Sequence, residues 1–292
     1  MSSVIVVGDL MADIVAWVSA PLAHASDTPA QITSHPGGGG ANVAARLVEA
    51  GVPALLVARV GDDAAGESAL AGLRRAGVEL EIAIDPLRPT GACVVIVEPS
   101  GERTMLPDRG ANAALAPGDL PIDAFTAGAH LHLSGYTLLD PGSRPAGLVA
   151  IEHARTAGMS ISVDPASAAP LQEAGPQTFL GWVRHAGLLL PNAEEAAVLT
   201  GARDPEAAAW ALARDGREVV ITLGKEGALW SDGKHVERAH ASPAPAQVDS
   251  TGAGDAFTAG WLASRLRGAE PAEALAAANF AAAQVLKEAG AR

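Results

Sequence analysis

The chain has 292 residues, of which 49% are hydrophobic and 18% are charged, so it is long enough to bury a large core. A formal net charge of −13, without any cluster of Lys or Arg, argues against nucleic acid as a partner, because phosphate backbones are bound by basic stripes. No apolar run approaches the ~20 residues that a membrane helix needs, and the single cysteine, Cys93, excludes an intrachain disulfide. We therefore expect a cytoplasmic protein without membrane or nucleic-acid partners.

Short β-branched runs alternate along the chain with longer segments of helical spacing. The predicted strands are 4–9, 54–61, 130–135, 160–165, 188–192 and 218–224, and the predicted helices include 41–51, 64–77 and 144–158. Continuous apolar strands that alternate with helices predict an α/β fold with a mainly parallel sheet, covered on both faces. Without a linker-like tract or a repeat, the pattern favours one domain over residues 1–292.

The first strand is followed by "GDLMAD", which places Asp9 and Asp13 at its carboxyl end and just beyond it. Carboxylates at that edge are well placed to accept hydrogen bonds from sugar hydroxyls. They could equally be solvated turn residues. The motif alone leaves both interpretations open.

The next motif is "HPGGGGANVAARLVEAG", residues 35–51, in which four glycines precede an amphipathic helix. Such a tract is also typical of a flexible linker, but a helix follows it at once. Glycines at a helix start let ligand hydroxyls reach the main chain. Asn42 offers both a donor and an acceptor to a polyol.

Two segments interrupt the α/β alternation. Residues 15–34 include strand-like runs without a helix between them, and residues 90–107 predict a hairpin around "PSGE". We expect these antiparallel pieces to form a small sheet that serves as a lid over the strand ends. An ordinary edge hairpin is the alternative.

Arg103 and Arg109 lie where the hairpin returns to the main sheet. An arginine there could pair with a carboxylate or phosphate on a substrate. That pairing would favour a sugar acid or sugar phosphate over a neutral pentose. Two arginines on the surface of the lid explain the sequence equally well.

Two further motifs follow later strands. "PNAEEA" contains Asn192 and Glu195 at the spacing of a helix capping box, and the same side chains could organise Mg²⁺ and phosphate through water. "VVITLGKEGALW" places Thr222, Gly224 and Gly227 at the end of a strand and in a tight turn. Lys225 in this turn is more simply a solvated side chain than a phosphate ligand.

The most specific motif is "DSTGAGDAFTAG", residues 249–260, whose glycines precede an apolar helical pattern. Gly252, Ala253 and Gly254 would form the first turn of this helix, where free amides and the helix dipole attract an anion. Asp255 beside that turn could merely stabilise the helix start. Alternatively, it is a base that takes a proton from a hydroxyl while the amides bind a transferring phosphoryl group.

These motifs, in this order, resemble the ribokinase (PfkB) family of carbohydrate kinases, from "GDLMAD" near the start to "ANFAAAQ" near the end. The resemblance implies a ribokinase-like three-layer α/β/α fold with a small β-sheet lid, which in this family often builds a dimer interface. Asp255 would be the general base, and Gly252, Ala253 and Gly254 would form the anion hole. Two positions depart from the pattern, since Met11 and Gly39 stand where relatives often have Asn and a basic residue.

The resemblance assigns the remaining residues to four groups. The sugar would be held by Asp13, Gly38, Gly39, Asn42 and, if the acceptor is anionic, Arg109. The nucleotide would be bound by Asn192, Thr222, Gly224, Gly227 and Asn279. Glu195 would act on Mg²⁺ through water, and Asp249 and Thr251 would take part in a monovalent cation site for K⁺.

The function implied is ATP- and Mg²⁺-dependent phosphorylation of a hydroxyl of a small sugar or sugar acid, of the ribokinase or 2-keto-3-deoxygluconate kinase type. A nucleoside kinase is one alternative, with Trp17 of the lid as an aromatic platform. A catalytically silent sugar-binding regulator is another. An oxidoreductase is disfavoured, because the first strand lacks the Gly-rich fingerprint of dinucleotide-binding folds.

Overall fold

Two β-sheets and ten α-helices make up a computed structural model, which describes residues 3–100, 103–214, 216–243 and 251–286. The strands are β1 (Val4–Val7), β2 (Met11–Val18), β3 (Ala30–Gly37), β4 (Ala54–Gly61), β5 (Glu79–Asp85), β6 (Gly91–Val97), β7 (Arg103–Asp108), β8 (His130–Ser134), β9 (Ser160–Asp164), β10 (Leu188–Leu189), β11 (Glu218–Thr222), β12 (Ala228–Ser231) and β13 (Val236–Ala239). The helices are α1 (Gly39–Glu49), α2 (Ala64–Ala76), α3 (Tyr136–Leu139), α4 (Arg144–Thr156), α5 (Ala168–Ala174), α6 (Pro176–Trp182), α7 (Ala193–Thr200), α8 (Pro205–Leu212), α9 (Ala253–Leu266) and α10 (Pro271–Val285).

The larger sheet has nine strands in the order β13-β12-β11-β10-β9-β8-β1-β4-β5. Every pairing from β11 to β5 is parallel, and β12 and β13 extend the sheet as antiparallel edge strands. All six predicted strands are present. The carboxyl ends of the parallel strands meet along one edge, where open α/β sheets bind their ligands.

Helices cover both faces of this sheet, which confirms the predicted three-layer α/β/α arrangement. One core lies under α1, α2, α9 and α10, and the other under α3 to α8. Successive residues of a strand belong to opposite cores. Val4 and Val6 face the helices α1, α2, α9 and α10, while Ile5 and Val7 face α3 to α8. Within the described ranges, every helix is too short or too polar to cross a lipid bilayer.

The smaller sheet is formed by β3, β2, β6 and β7, in that order, and is called the small sheet below. It begins at Met11 and extends to Gly37, so it is wider than the predicted segment 15–34. The outer pairings are antiparallel, as expected, but the central strands β2 and β6 run parallel, with Met11 opposite Gly91. The chain passes through β4, α2 and β5 between these two strands, which lets it enter β6 in the same direction as β2.

A row of polar side chains lies between β8 and β9, on the face of the larger sheet that α1, α2, α9 and α10 cover. His130 contacts Ser160 and Ser162 at 2.7 Å each, and His132 contacts Ser162 at 2.9 Å. Both imidazoles are buried. Burial lowers the pKa of His130 to about 4 and that of His132 to about 3, so both are neutral in the folded protein at neutral pH.

We expect this row to make the fold sensitive to acid. A histidine whose folded pKa lies below its unfolded value near 6.5 binds a proton more readily in the unfolded chain, so the free energy of unfolding falls as pH drops below 6.5. Far enough below that value, each histidine contributes a slope of about 1.4 kcal/mol per pH unit. Urea unfolding between pH 7.5 and pH 5 measures it.

His132→Gln should flatten the pH dependence, because the titrating group is removed while a hydrogen-bonding side chain stays. His235→Gln is the matched control, since the His235 side chain is 72% exposed. An unchanged slope in His132→Gln would contradict this explanation of acid sensitivity.

Candidate active site

The carboxyl edge of the larger sheet collects most of the residues singled out in the sequence. Asp9 follows β1, Asp164 ends β9, and Thr222 ends β11. Asn192 forms an isolated parallel bridge with Thr222 just beyond β10. The strands thus deliver these polar groups to one side of the molecule, as parallel topology requires.

The glycine tract of residues 37–40 fits the start of α1 tightly over the end of β1. The amide of Ala41 donates to the carbonyl oxygen of Asp9 at 3.0 Å. A Cβ atom at Gly40 would lie 2.7 Å from the Cα atom of Gly8, and Gly38 has φ +94°. Glycine is therefore required here for close approach of two backbones, and the flexible-linker interpretation is wrong.

The second glycine motif starts α9. Gly252 is the residue before the helix, with φ +78°, and Asp255 lies in the first helical turn. The helix is anchored below by buried Phe257 and Trp261. Its first amides, from residues 253 to 255, therefore point toward the carboxyl edge of the sheet, with the positive end of the helix dipole.

The two glycine motifs meet directly. Asn42 Nδ2 donates to Asp255 Oδ2 at 2.8 Å, across 213 positions of sequence. A Cβ atom at Gly39 would lie 3.5 Å from Asp255 Oδ1. The Asp255 carboxylate is thus oriented by Asn42 and faces the glycine turn of α1.

Asn42 also carries an unsatisfied acceptor. Its side chain is 3% exposed, and its Oδ1 atom is buried without a hydrogen-bond partner among the described residues. A buried polar atom of this kind costs free energy unless a ligand or water donates to it. A hydroxyl group held beside Asp255 would supply that donor.

Asp13 approaches the same place from the small sheet. Its side chain is buried, and a Cβ atom at Gly37 would overlap its carboxylate. Asp13 therefore lies at one end of the glycine tract, and Gly39 and Asn42 at its other end face the Asp255 carboxylate. Arg109 is half-buried, and its Nη2 atom lies 2.6 Å from Asp9 Oδ1. Arg109 is therefore not a surface arginine, and it has a partner inside the protein.

Asn192 and Glu195 form the capping box that their spacing predicts. Asn192 Oδ1 accepts from the Glu195 amide and Glu195 Oε2 accepts from the Asn192 amide, both at 2.9 Å. Yet the Glu195 side chain is buried, which helix capping alone does not require. Burial and the neighbouring charge of Asp164 raise the pKa of Glu195 to about 8, and burial raises that of Asp164 to about 6.

Two mutually repelling carboxylates at a ligand-binding edge are a suitable environment for a cation, which would remove the repulsion. Among the residues that the structure describes, no three His, Cys, Asp or Glu side chains are grouped as a complete metal site. A metal ion here would therefore take its remaining ligands from water and from a bound substrate, as Mg²⁺ commonly does.

A cavity of about 610 Å³ lies on the other side of the α9 start. Its lining includes Thr222, Gly224, Gly227, Asn279, Ala253 and Gly254, which unites the predicted nucleotide residues with part of the predicted anion hole. Apolar side chains from α9 and α10, including Phe257 and Ala282, complete the wall. The cavity has room for a planar group next to the start of α9, where a phosphate would bind.

Asn279 has a second task in this cavity. Its Nδ2 atom donates to the carbonyl oxygens of Ala239 and His240, at 3.2 and 3.1 Å. It therefore ties α10 to the chain that follows β13 and shapes the cavity wall.

The small sheet reaches the same edge through Arg103, whose Nη1 atom lies 3.3 Å from Thr251 Oγ1. Thr251 directly precedes the glycine turn of α9. The other residue of the predicted monovalent cation site, Asp249, lies outside the described residues.

Asp164 and Tyr136 belong to this edge but are missing from the residues predicted from the sequence. Asp164 raises the pKa of Glu195, and the Tyr136 carbonyl oxygen accepts from Arg109 Nη1 at 3.0 Å. A signal existed for Asp164, since it ends the predicted strand 160–165 at its carboxyl end. Tyr136, the single tyrosine of the chain, follows the predicted strand 130–135 in the same way.

Comparison with known protein families gives one consistent result. The model of the pfkB family carbohydrate kinases matches residues 1–292. The chain is 32% identical over 260 residues to an ATP-dependent ribose-1-phosphate kinase of Halopiger xanaduensis, covering 88% of this chain and 82% of that protein. It is 29% identical over 296 residues to a 2-dehydro-3-deoxygluconokinase of Thermoproteus tenax, covering 98% and 89%.

Solved structures agree with this family. An adenosine kinase from Sinorhizobium meliloti superposes with a TM-score of 0.91 at 26% identity, over 100% of this chain and 95% of that one. A ribokinase II from E. coli in complex with ATP and Mg²⁺ superposes with a TM-score of 0.87 at 25% identity, over 100% and 94%. These neighbours confirm the ribokinase-like fold.

Proposed function

The chain belongs to the pfkB family of carbohydrate kinases, and from that premise we propose that it transfers the γ-phosphoryl group of ATP, with Mg²⁺, to a hydroxyl of a small sugar or sugar acid. The observation that carries this proposal is the hydrogen bond from Asn42 to Asp255, because it joins the two glycine motifs into one site. One side of that site is built for a polyol, and the other opens toward the 610 Å³ cavity.

Asp255 is the proposed general base. Its carboxylate is held by Asn42 and faces the turn where Gly38 and Gly39 leave room for a ligand. There it would accept the proton of the acceptor hydroxyl as that oxygen attacks phosphorus. The amides of Gly252, Ala253 and Gly254 would stabilise the negative charge of the transferring group, because they point outward from the helix start.

The acceptor would be held by Asp13, Gly38, Gly39 and Asn42, with hydroxyls donating to the two oxygen-bearing side chains. Asn42 Oδ1, buried and unsatisfied in the described part of the chain, is a ready acceptor for such a hydroxyl. Mg²⁺ would be held through water by Glu195 and Asp164 beside Asn192, where it would neutralise phosphate charge.

The nucleotide would occupy the cavity lined by Thr222, Gly224, Gly227 and Asn279. The ATP and Mg²⁺ bound to the E. coli neighbour support this choice of donor. A K⁺ site that includes Thr251 and Asp249 is proposed on the family resemblance alone. It is tested by exchanging K⁺ for a large organic cation in the activity assay.

The small sheet would act as a lid, as part of a single kinase domain over residues 1–292, with lid segments about 15–34 and 90–107. The contact between Arg103 and Thr251 supports this, because it joins the return strand of the sheet to the residue that precedes the glycine turn of α9. Closure would exclude water from the phosphoryl group. Ile32, Met105 and Leu106 are exposed on this sheet, which supports a homodimer formed through the lid.

A nucleoside acceptor is the second candidate, and one observation favours it. The buried face of the small sheet is apolar, with Met11, Val15 and Val95 in one cluster and Trp17 packed against it. An apolar face with an aromatic ring suits a nucleobase better than it suits a bare sugar. The structural similarity to an adenosine kinase points in the same direction.

An ATP-consumption screen over sugars, sugar acids, sugar phosphates and nucleosides tests the proposed function. Turnover of at least one class is expected, and it should require Mg²⁺. Absence of turnover with every class, together with sugar binding by calorimetry, would favour a sugar-binding regulator instead.

The nucleotide cavity has its own test in Ala282→Phe. Ala282 lines the cavity on α10, so a bulky ring there should raise the KM for ATP at least tenfold while the KM for the acceptor changes little. Ala276→Phe is the matched control, because Ala276 lies on the exposed face of the same helix. Equal kinetics in the two variants would contradict this location of the nucleotide.

A further inference from the structure

Arg109 is half-buried and is held by an ion pair, a hydrogen bond to the main chain and an aromatic ring. Its Nη2 atom lies 2.6 Å from Asp9 Oδ1, and its Nη1 atom donates to the Tyr136 carbonyl oxygen at 3.0 Å. The guanidinium carbon lies 5.1 Å from the centre of the Tyr136 ring. The Nε atom is buried, lies 3.8 Å from Asp140 Oδ2 and has no hydrogen-bond partner among the described residues.

This ion pair borders the proposed acceptor site. The Asp9 carbonyl oxygen accepts from the Ala41 amide in the first turn of α1, so the residue that bears the paired carboxylate lies beside the glycine turn. Asn112 holds the backbones of the two paired residues together. Its side chain forms hydrogen bonds with both backbone groups of Leu10, next to Asp9, and with the carbonyl oxygen of Arg109. The Asp9 carboxylate balances the positive charge of Arg109, so the guanidinium offers an approaching anion no unpaired charge.

The cost of breaking that contact is high because the partner is buried. The Asp9 side chain is 5% exposed and that of Arg109 is 18% exposed. A ligand anion that drew the guanidinium away would leave the Asp9 carboxylate buried without its cation. The ligand would also have to enter beside the carboxylates of Asp13, Asp140 and Asp255, which repel it.

Hydroxyl groups meet the opposite situation. Each can donate to a carboxylate oxygen of Asp13 or Asp255, or to the buried Asn42 Oδ1 atom. No charge has to be desolvated in the ligand, and the Asp9–Arg109 pair can stay closed.

We propose that the Asp9–Arg109 ion pair makes the kinase select an uncharged polyol, a sugar or a nucleoside, and reject sugar acids and sugar phosphates. The inference rests on the kinase function proposed above and narrows its acceptor. It reverses the preference that Arg109 suggests in the sequence, where the arginine has no visible partner. The pair acts on the acceptor through charge and is a specificity device, with no part in the transfer itself.

The first experiment compares acceptors of similar size and different charge with the wild-type protein. The pairs are D-ribose with D-ribose 1-phosphate, D-glucitol with D-gluconate, and D-fructose with 2-keto-3-deoxygluconate, and adenosine is added as a further neutral acceptor. The expected result is turnover of a neutral compound, with kcat/KM at least 100-fold above that of the best anionic one. A preferred anionic acceptor, bound for example by Arg103, would overturn the proposal and leave the kinase function standing.

The second experiment releases the arginine. Asp9→Asn keeps the shape of the side chain and removes its charge, so Arg109 becomes available to an anion. The ratio of kcat/KM for anionic over neutral acceptors should rise at least tenfold, mainly through a lower KM for the anionic compound. Asp140→Asn should shift the ratio in the same direction by less, and it serves if Asp9→Asn does not fold.

Asp119→Asn is the matched control. Asp119 also forms an ion pair with an arginine, since its Oδ2 atom lies 3.0 Å from Arg59 Nη1, but this pair is away from the proposed acceptor site. It should leave the ratio unchanged. An unchanged ratio in both Asp9→Asn and Asp140→Asn, with folding verified by thermal unfolding, would overturn the proposal. Silence of the wild type toward every acceptor would overturn the kinase function, and the proposal with it.

Discussion

Asp255→Asn should lower kcat by about 10²–10⁴-fold while the protein keeps its fold and its ability to bind ATP. The amide can still accept the hydrogen bond that Asn42 Nδ2 donates to this position, so the local geometry has a substitute partner. What it cannot do is take a proton from the acceptor hydroxyl. The loss should therefore fall on kcat, with the KM for ATP within a factor of a few of the wild-type value.

Asp204→Asn provides the comparison for this effect. Asp204 also stands at a helix start, directly before α8, where its carboxylate accepts from the Ala207 amide at 2.9 Å, and it is not among the residues of the proposed site. It should leave kcat unchanged. If Asp255→Asn kept more than a tenth of the wild-type kcat, then proton removal by this carboxylate would not be the basis of catalysis, and the glycine turn alone would carry the rate.

Substitution of Asn42 should lower kcat by less than substitution of Asp255, because Asn42 orients the carboxylate without reacting. The hydrogen bond between the two spans 213 positions, so no local pattern in the sequence shows it. The sequence does place Asn42 and Asp255 each beside a glycine turn at a helix start. Parallel topology then brings both turns to one edge of the sheet, which explains why two motifs so far apart in the sequence lie together.

Other features depend on tertiary contacts that local patterns do not encode. Arg109 reads in the sequence as a free cation near the lid, whereas the fold pairs it with Asp9, one hundred positions earlier. Strand β5 is missing from the predicted strands, which are continuous apolar runs, whereas "ELEIAID" alternates acidic and apolar residues, as suits a strand at the sheet edge. The parallel pairing of β2 with β6 was missed for a similar reason, since it depends on the intervening β4, α2 and β5.

The paired carboxylates show the same division between local and tertiary information. "PNAEEA" predicts the capping box of Asn192 and Glu195, and the structure confirms it. Only the fold shows that Glu195 is buried and feels the charge of Asp164. That combination turns a routine helix cap into a candidate cation site.

Glu195→Gln should therefore lower kcat about 10–100-fold at limiting Mg²⁺ and raise the Mg²⁺ concentration needed for half-maximal activity, as loss of a water-mediated metal partner does. The capping bonds can persist, because the amide oxygen still accepts from the Asn192 backbone. Glu194→Gln is the matched control, since Glu194 is the exposed neighbour in the same turn. Equal Mg²⁺ dependence in the two variants would contradict a role of Glu195 in holding the metal.

Proton release provides an independent measure of the same site. Burial and the neighbouring charge of Asp164 raise the pKa of Glu195, and burial raises that of Asp164, so this carboxyl pair keeps a proton at neutral pH when no cation is bound. A cation favours the ionised form, and binding of Mg²⁺ with nucleotide should release protons between pH 6 and pH 8. Calorimetry in two buffers of different ionisation enthalpy measures that release. Glu195→Gln should lose most of it and Glu194→Gln should keep it, because Glu195 is the buried carboxyl whose pKa is raised.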